Sequence, residues 1–191
     1  LKSAFDEIRA DEYSVANEAA QLGLLLINKV EEHEHLQPAN IGYVFRDDEI
    51  RRRGKVVGAE AILVERILQS DPRYARLVKW AFLRVLGAAE LPDFIVLIDH
   101  NIWEGLDVEQ RLALVDHELS HCSYQTEDDG ATQKFRKDGS PLWAVRGHDV
   151  EEFASVVQRN GLWNAELVTF ARAIVDSLAT RGTPAYLDGA Q

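Results

Sequence analysis

At 191 residues the chain is long enough for one domain with a sizeable core, and too short to be read as two. Its 46% hydrophobic and 28% charged residues match an ordinary globular protein. A formal net charge of −11 disfavours general nucleic-acid binding or attraction to an anionic membrane surface. The lone cysteine, Cys122, excludes an internal disulfide and fits a reducing, cytoplasmic compartment. Its expected state is a buried free thiol. No apolar run approaches the length of a membrane span. The chain opens on Leu1 and holds no methionine, which leaves its true start open, a removed signal peptide included.

The first dozen residues are mixed and charged, a poorly ordered start or a short helical turn. Ser14 can cap a helix running to about Glu32, with Ala16, Ala19, Ala20, Leu22, Leu26, Ile27 and Val30 as its apolar side. His33-Glu34-His35 closes that helix in an acidic setting and reads as a solvated end. Two histidines two residues apart point to different faces, which disfavours a metal site there. Pro38-Ala39-Asn40 breaks the chain before a strand, Ile41 to Phe45. Arg51-Arg52-Arg53-Gly54-Lys55 reads as a solvated basic turn between two extended segments. The second segment begins near Val56, and periodicity does not decide whether it stays a strand to Val64 or passes into a helix.

Asp71-Pro72 opens a further helix, with Val78, Phe82, Leu83, Val85 and Leu86 on its buried side and Gly87 near its end. After a turn at Leu91-Pro92-Asp93, the run Phe94 to Asp99 is the strongest strand in the chain. It is continuous enough in apolar residues to be central in a sheet.

Trp103 and Leu106 lead into the segment that carries the chemistry. Asp107-Val108-Glu109-Gln110 is a capping box. Leu112, Val115, Leu119 and Cys122 then recur at helical spacing, so one stripe of this helix is buried. Flanking the stripe is His117-Glu118-Leu119-Ser120-His121, an H-E-x-x-H sequence. On a helix, residues i and i+4 share a face one turn apart, so two imidazoles so placed can hold one Zn²⁺. Glu118 then sits beside the metal, where it can take a proton from zinc-bound water.

From Glu127 to Gly147 the composition turns to Asp, Gly, Thr, Lys and Ser, a long loop with room for a short hairpin. Asp149 and Glu152 form another capping box, opening a helix that ends at Asn160-Gly161. A last helix spans about Asn164 to Ala179, carrying Leu167, Phe170, Ile174 and Leu178. A catalytic zinc commonly takes three protein ligands and keeps one position for water. His148, the one histidine after the motif, stands at a helix entrance and is the preferred third ligand; Glu151 and Glu152 are the competitors.

The sequence resembles the phage metallopeptidases, relatives of the SprT-like zinc proteases. The resemblance rests on Ile41-Gly42-Tyr43-Val44-Phe45, on Gly54-Lys55, and on the Ile95-to-Asp99 strand with Trp103. It continues through Asp116-His117-Glu118-Leu119-Ser120-His121-Cys122 and Gly147-His148-Asp149-Val150-Glu151-Glu152-Phe153. It implies a zincin-like α+β fold, mainly helical, with a small sheet beside the motif helix. The implied activity is zinc-dependent cleavage of a protein or peptide substrate in a bacterial host, with Glu118 as general base and His117, His121 and His148 on Zn²⁺. SprT-like proteins take their third ligand from a downstream His-Gly histidine; His148 matches that role, with Asp149 in place of the glycine. The acidic charge departs from the DNA-associated SprT-like proteases. Two other readings stay open: a non-catalytic interaction module stabilised by zinc with a closed fourth ligand, and a DNA-associated protease.

Overall fold

The computed structural model describes residues 12–52, 54–70, 90–150, 157, 161–162 and 165–179. The helix expected from Asp71, the two chain ends, Arg53, and both Glu151 and Glu152 lie outside the described residues. Internal contacts divide the chain into two compact units, Leu1–Arg146 and Gly147–Gln191. The described architecture is mixed α+β, with one small sheet, two short hairpin ladders and several helices.

In the first unit, strand β1 (Tyr13–Val15) pairs antiparallel with β2 (Ile41–Arg46). Ser14 therefore does not cap a helix. Helix α1 (Asn17–Lys29) starts after Ala16 with no side-chain cap. The extended conformation wins at residues 13–15 because the outer edge of β2 offers them a ladder. Strand β6 (Phe94–Asp99) runs parallel to β2 and antiparallel to β5 (Ala59–Leu63), which gives the order β1-β2-β6-β5. Being covered on both faces suits the unbroken apolar run of β6: Phe94, Ile95, Val96 and Ile98 are all buried. Val44, Val64 and Ile95 form a core cluster to which Leu68 and Leu97 add.

The basic turn is a hairpin between β3 (Ile50–Arg52) and β4 (Lys55–Val57), with Gly54 at a left-handed φ of 79°. Beyond it the chain does both things that periodicity left open. It forms β5, then turns into helix α2 (Val64–Ser70).

At the end of β6, Asp99 is buried yet well partnered. It caps the short helix α3 (His100–Glu104) through Ile102 N at 3.0 Å and accepts from Ile50 N at 3.4 Å. Trp103 is buried under Arg111, whose guanidinium lies 5.2 Å from the ring centroid. Arg111 also pairs with Glu18 at 3.0 and 3.1 Å, which ties α1 to helix α4 (Val108–His121).

Helix α4 begins as its sequence predicts. Asp107 accepts from Gln110 N at 2.9 Å, and the Gln110 side chain accepts from Asp107 N at 3.0 Å. The predicted stripe of Leu112, Val115, Leu119 and Cys122 is buried. Each leucine removed from water there stabilises the fold by about 1.5–3 kcal/mol.

The long loop is an ordered arm. Strands β7 (Cys122–Tyr124) and β8 (Trp143–Val145) pair antiparallel, and bridges at Thr126–Gln133 and Phe135–Pro141 extend the ladder outward. Gly130 and Gly139 turn the chain at φ 70° and 83°. In the second unit the main described element is helix α5 (Ala165–Ala179). Leu167 is buried, while Phe170, Ile174 and Leu178 are exposed. Among the described residues no helix is long and apolar enough to cross a membrane.

Candidate metal centre

The last two turns of α4 present His117, Glu118 and His121 differently. His117 is exposed, Glu118 is 3% exposed, and His121 is 8% exposed. The two imidazoles stand edge to face with centroids 4.9 Å apart, as i,i+4 spacing requires.

The chain on either side fixes the second of these rings. Arg146 N donates to the His121 carbonyl at 2.8 Å, and His121 Nδ1 meets the Arg146 carbonyl at 2.7 Å. A carbonyl oxygen only accepts, so Nδ1 is the donor in this bond, and in the neutral ring Nε2 is the nitrogen that keeps a lone pair. That tautomer is the one a metal ligand needs, and a backbone carbonyl on the other nitrogen is the usual way to orient it.

His148 follows Arg146 by two residues and is exposed. His117, His121 and His148 each offer one ring nitrogen, and these atoms lie within 4.8 Å of one another. Three neutral imidazoles suit a borderline ion such as zinc, and the three could hold a metal ion.

Glu118 is the buried carboxylate of this group. Its Oε2 has no hydrogen-bond partner, while the backbone N–H of Ala61 on β5 bonds the carboxylate. Burial is the largest influence and raises its pKa above the ordinary carboxylate value. The nearby charge of His121 and the Ala61 N–H oppose that rise, as does Arg52; Glu60 adds to it. An under-partnered buried carboxylate next to a histidine cluster is characteristic of reactive sites rather than of packing.

The histidines before Pro38 require a correction, because they do not form a solvated helix end. Residues Glu31–Leu36 form a 3₁₀ helix, in which i and i+3 eclipse. His33 and Leu36 therefore share one face, and both are buried, while Glu31, Glu32 and Glu34 stay exposed. His33 Nε2 lies 2.6 Å from Asp116 Oδ1, one residue before the motif. The ring nitrogens of His35 meet the carbonyls of Glu32 at 2.9 Å and Cys122 at 3.0 Å. The N-terminal 3₁₀ helix thus holds the motif helix from behind at two points. Sequence reading missed this role, since nothing local ties His33 to a partner 83 residues away. Ala61 and Arg146 act through backbone groups and leave no sequence signal.

Cys122 is buried and free, with its thiol pushed up to about 12, first by burial and then by the Glu118 charge.

The model of a family described as "Putative phage metallopeptidase" matches residues 11–175. The chain belongs to that family. The match takes in α4, the arm and His148, so the histidine cluster lies wholly inside the family's span. Neither the comparison with curated proteins nor that with solved structures finds a significant match.

Proposed function

We propose that this member of the phage metallopeptidase family is a zinc-dependent peptidase that hydrolyses peptide bonds. In this reading His117, His121 and His148 hold one Zn²⁺, and Glu118 is the general base. The observation that carries it is the meeting of three imidazole donors within 4.8 Å beside a buried carboxylate with an unpartnered oxygen. When bound, the ion would supply Lewis acidity toward the scissile carbonyl and lower the pKa of water at the site.

The remaining work falls to the chain. Glu118 Oε2 has no competing donor, and in this reading it accepts the attacking water's proton and returns it to the leaving amine. Burial strengthens it as a base, and the Ala61 N–H keeps the carboxylate from rotating away. Arg146 fixes the His121 tautomer. Supporting the reading further, a purely structural zinc site has no need of a buried glutamate beside its ligands. A protein or peptide is the proposed substrate. Broad affinity for duplex DNA is not expected at a net charge of −11.

The test pairs metal content with catalysis. Purified chain should carry about one zinc, reduced in His148→Ala. Glu118→Gln should keep the zinc and the fold while losing about 10²–10⁴ in rate. Peptidase activity that survives Glu118→Gln would sink the mechanism. Full zinc affinity in His148→Ala would remove that residue from the ligand set and promote Glu151 or Glu152.

A further inference from the structure

The region beside Glu118 opens along β5. That strand ends the four-stranded sheet, so its outer edge has no strand partner within the sheet. Ala61, whose N–H reaches Glu118, also lines a groove of about 330 Å³ together with Arg52, Glu60, Arg66 and Val145. A second groove of about 350 Å³ shares Leu63, Arg66 and Val145 with the first and runs on past Glu65 to Gln125. The two meet at Leu63, Arg66 and Val145 as one trough, which reaches the neighbourhood of Glu118 through Ala61 and the base of the arm through Gln125 and Leu142.

Its charges are unevenly matched. Arg52 pairs with Glu60 at 3.7 Å, and Glu65 pairs with Arg136. Arg66 lines both grooves, and among the described residues no carboxylate pairs with it. On a chain of net charge −11, an unpaired guanidinium in such a trough is where a substrate anion meets attraction rather than repulsion. Its planar fork matches a carboxylate in bidentate fashion.

We propose that this trough receives an extended substrate segment and that Arg66 selects segments bearing an Asp or Glu side chain. The inference rests on the peptidase reading of the adjoining site and deepens it by naming a substrate class. An extended chain advances about 3.3 Å per residue. Ala61, beside Glu118, and Arg66 line the same groove, so the selected side chain is expected within about four residues of the bond that is cut.

The experiment uses the full chain loaded with zinc, a tryptic peptide mixture from a bacterial proteome, and mass spectrometry of the new termini. Glu118→Gln supplies the background. The expected result is cleavage enriched for Asp or Glu within four residues of the cut. For the best acidic peptide, Arg66→Glu should lower kcat/KM by about tenfold or more, against less than about twofold for its Glu-to-Gln counterpart. Cleavage without acidic preference, or a preference untouched by Arg66→Glu, overturns the proposal and leaves the peptidase reading standing. Absence of any cleavage above the Glu118→Gln background sinks the peptidase reading instead. Fluorescence anisotropy then decides the trough, using a labelled Glu-rich decapeptide and its Gln-for-Glu counterpart. Tighter binding of the acidic form, lost in Arg66→Glu, upholds Arg66 as the acid-selecting residue; equal or absent binding of both overturns it.

Discussion

Glu118 in the motif helix and Asp129 in the arm that follows it are driven in opposite directions by their surroundings. Glu118 is buried, one oxygen lacks a partner, and burial raises its pKa. Asp129 is fully exposed and over-supplied with donors. The Thr132 hydroxyl, then the amides of Ala131 and Thr132, hold its pKa down at about 2. The contrast extends to the regions around them. The end of the motif helix is held by groups far away in sequence, His33, His35, Ala61 and Arg146. The arm's turns are held by residues two or three positions apart. Polar groups in the arm are spent on their own local shape, whereas the motif helix keeps one carboxylate oxygen uncommitted at the cost of stability.

Removing the support behind the motif helix should have the largest effect. His33→Ala leaves a cavity and strips Asp116 of its partner, so it should destabilise the fold by about 2–4 kcal/mol. Urea denaturation measures this; a loss under about 1 kcal/mol would mean that the pair is not a structural tie. His33→Gln, which keeps a donor, should recover part of the difference.

Next comes the packing of α1 on β2. A Cβ added at Gly23 meets the buried Tyr43 phenol, at 2.5 Å from Cζ and closer still to the hydroxyl. Gly23→Ala should therefore cost about 1–3 kcal/mol by overpacking. The Tyr43 hydroxyl is buried without a partner, so Tyr43→Phe alone should be close to neutral. The double variant should regain part of the loss, and strict additivity would argue against the clash.

How far these features could be read in advance follows from where their causes lie. The start of α4 is legible because Asp107 and Gln110 bond each other three residues apart. Strand β6 is legible because its apolar run needs cover on both faces. Tyr13-Ser14-Val15 misleads, since Ser14 is a good cap in isolation and only the edge of β2 makes it a strand. His33 misleads because its burial needs a switch from α to 3₁₀ winding and a partner 83 residues away. The motif names Glu118 and its two histidines, but the tautomer of His121 depends on a backbone carbonyl that sequence cannot point to.

A smaller effect should separate the two carboxylates by sign. A raised pKa means that folded Glu118 holds its proton more tightly than the unfolded chain does. Its ionisation therefore opposes folding once pH rises past the ordinary carboxylate range. Metal-free Glu118→Gln should then melt above metal-free wild type at pH 7. The gap should close as pH falls toward 4.5, the ordinary value for this group. A wild type that melts higher at pH 7 would contradict the sign.

Asp129 should behave in the reverse sense and least of all. Its lowered pKa stabilises the arm above the ordinary carboxylate range, and that contribution is lost as pH falls through about 2. Asp129→Asn should shift Tm by less than about 2 °C, while speeding amide exchange at Ala131 and Thr132. Unchanged exchange there would show that the turn does not depend on the carboxylate.

The doubled bond between His121 and Arg146 has a consequence for how this protein can change over evolution. Residues 122–145 leave and return at one clasp, where backbone and imidazole of His121 both grip Arg146. The tip of the arm around Gly130 is held by bonds within the arm itself, and lengthening a closed loop there costs little, since the entropy of closure grows only with the logarithm of its length. That tip can thus be extended or trimmed near Gly130 without retuning the imidazole at the arm's root. Change at the tip of the arm and the orientation of the His121 ring are mechanically decoupled at Arg146.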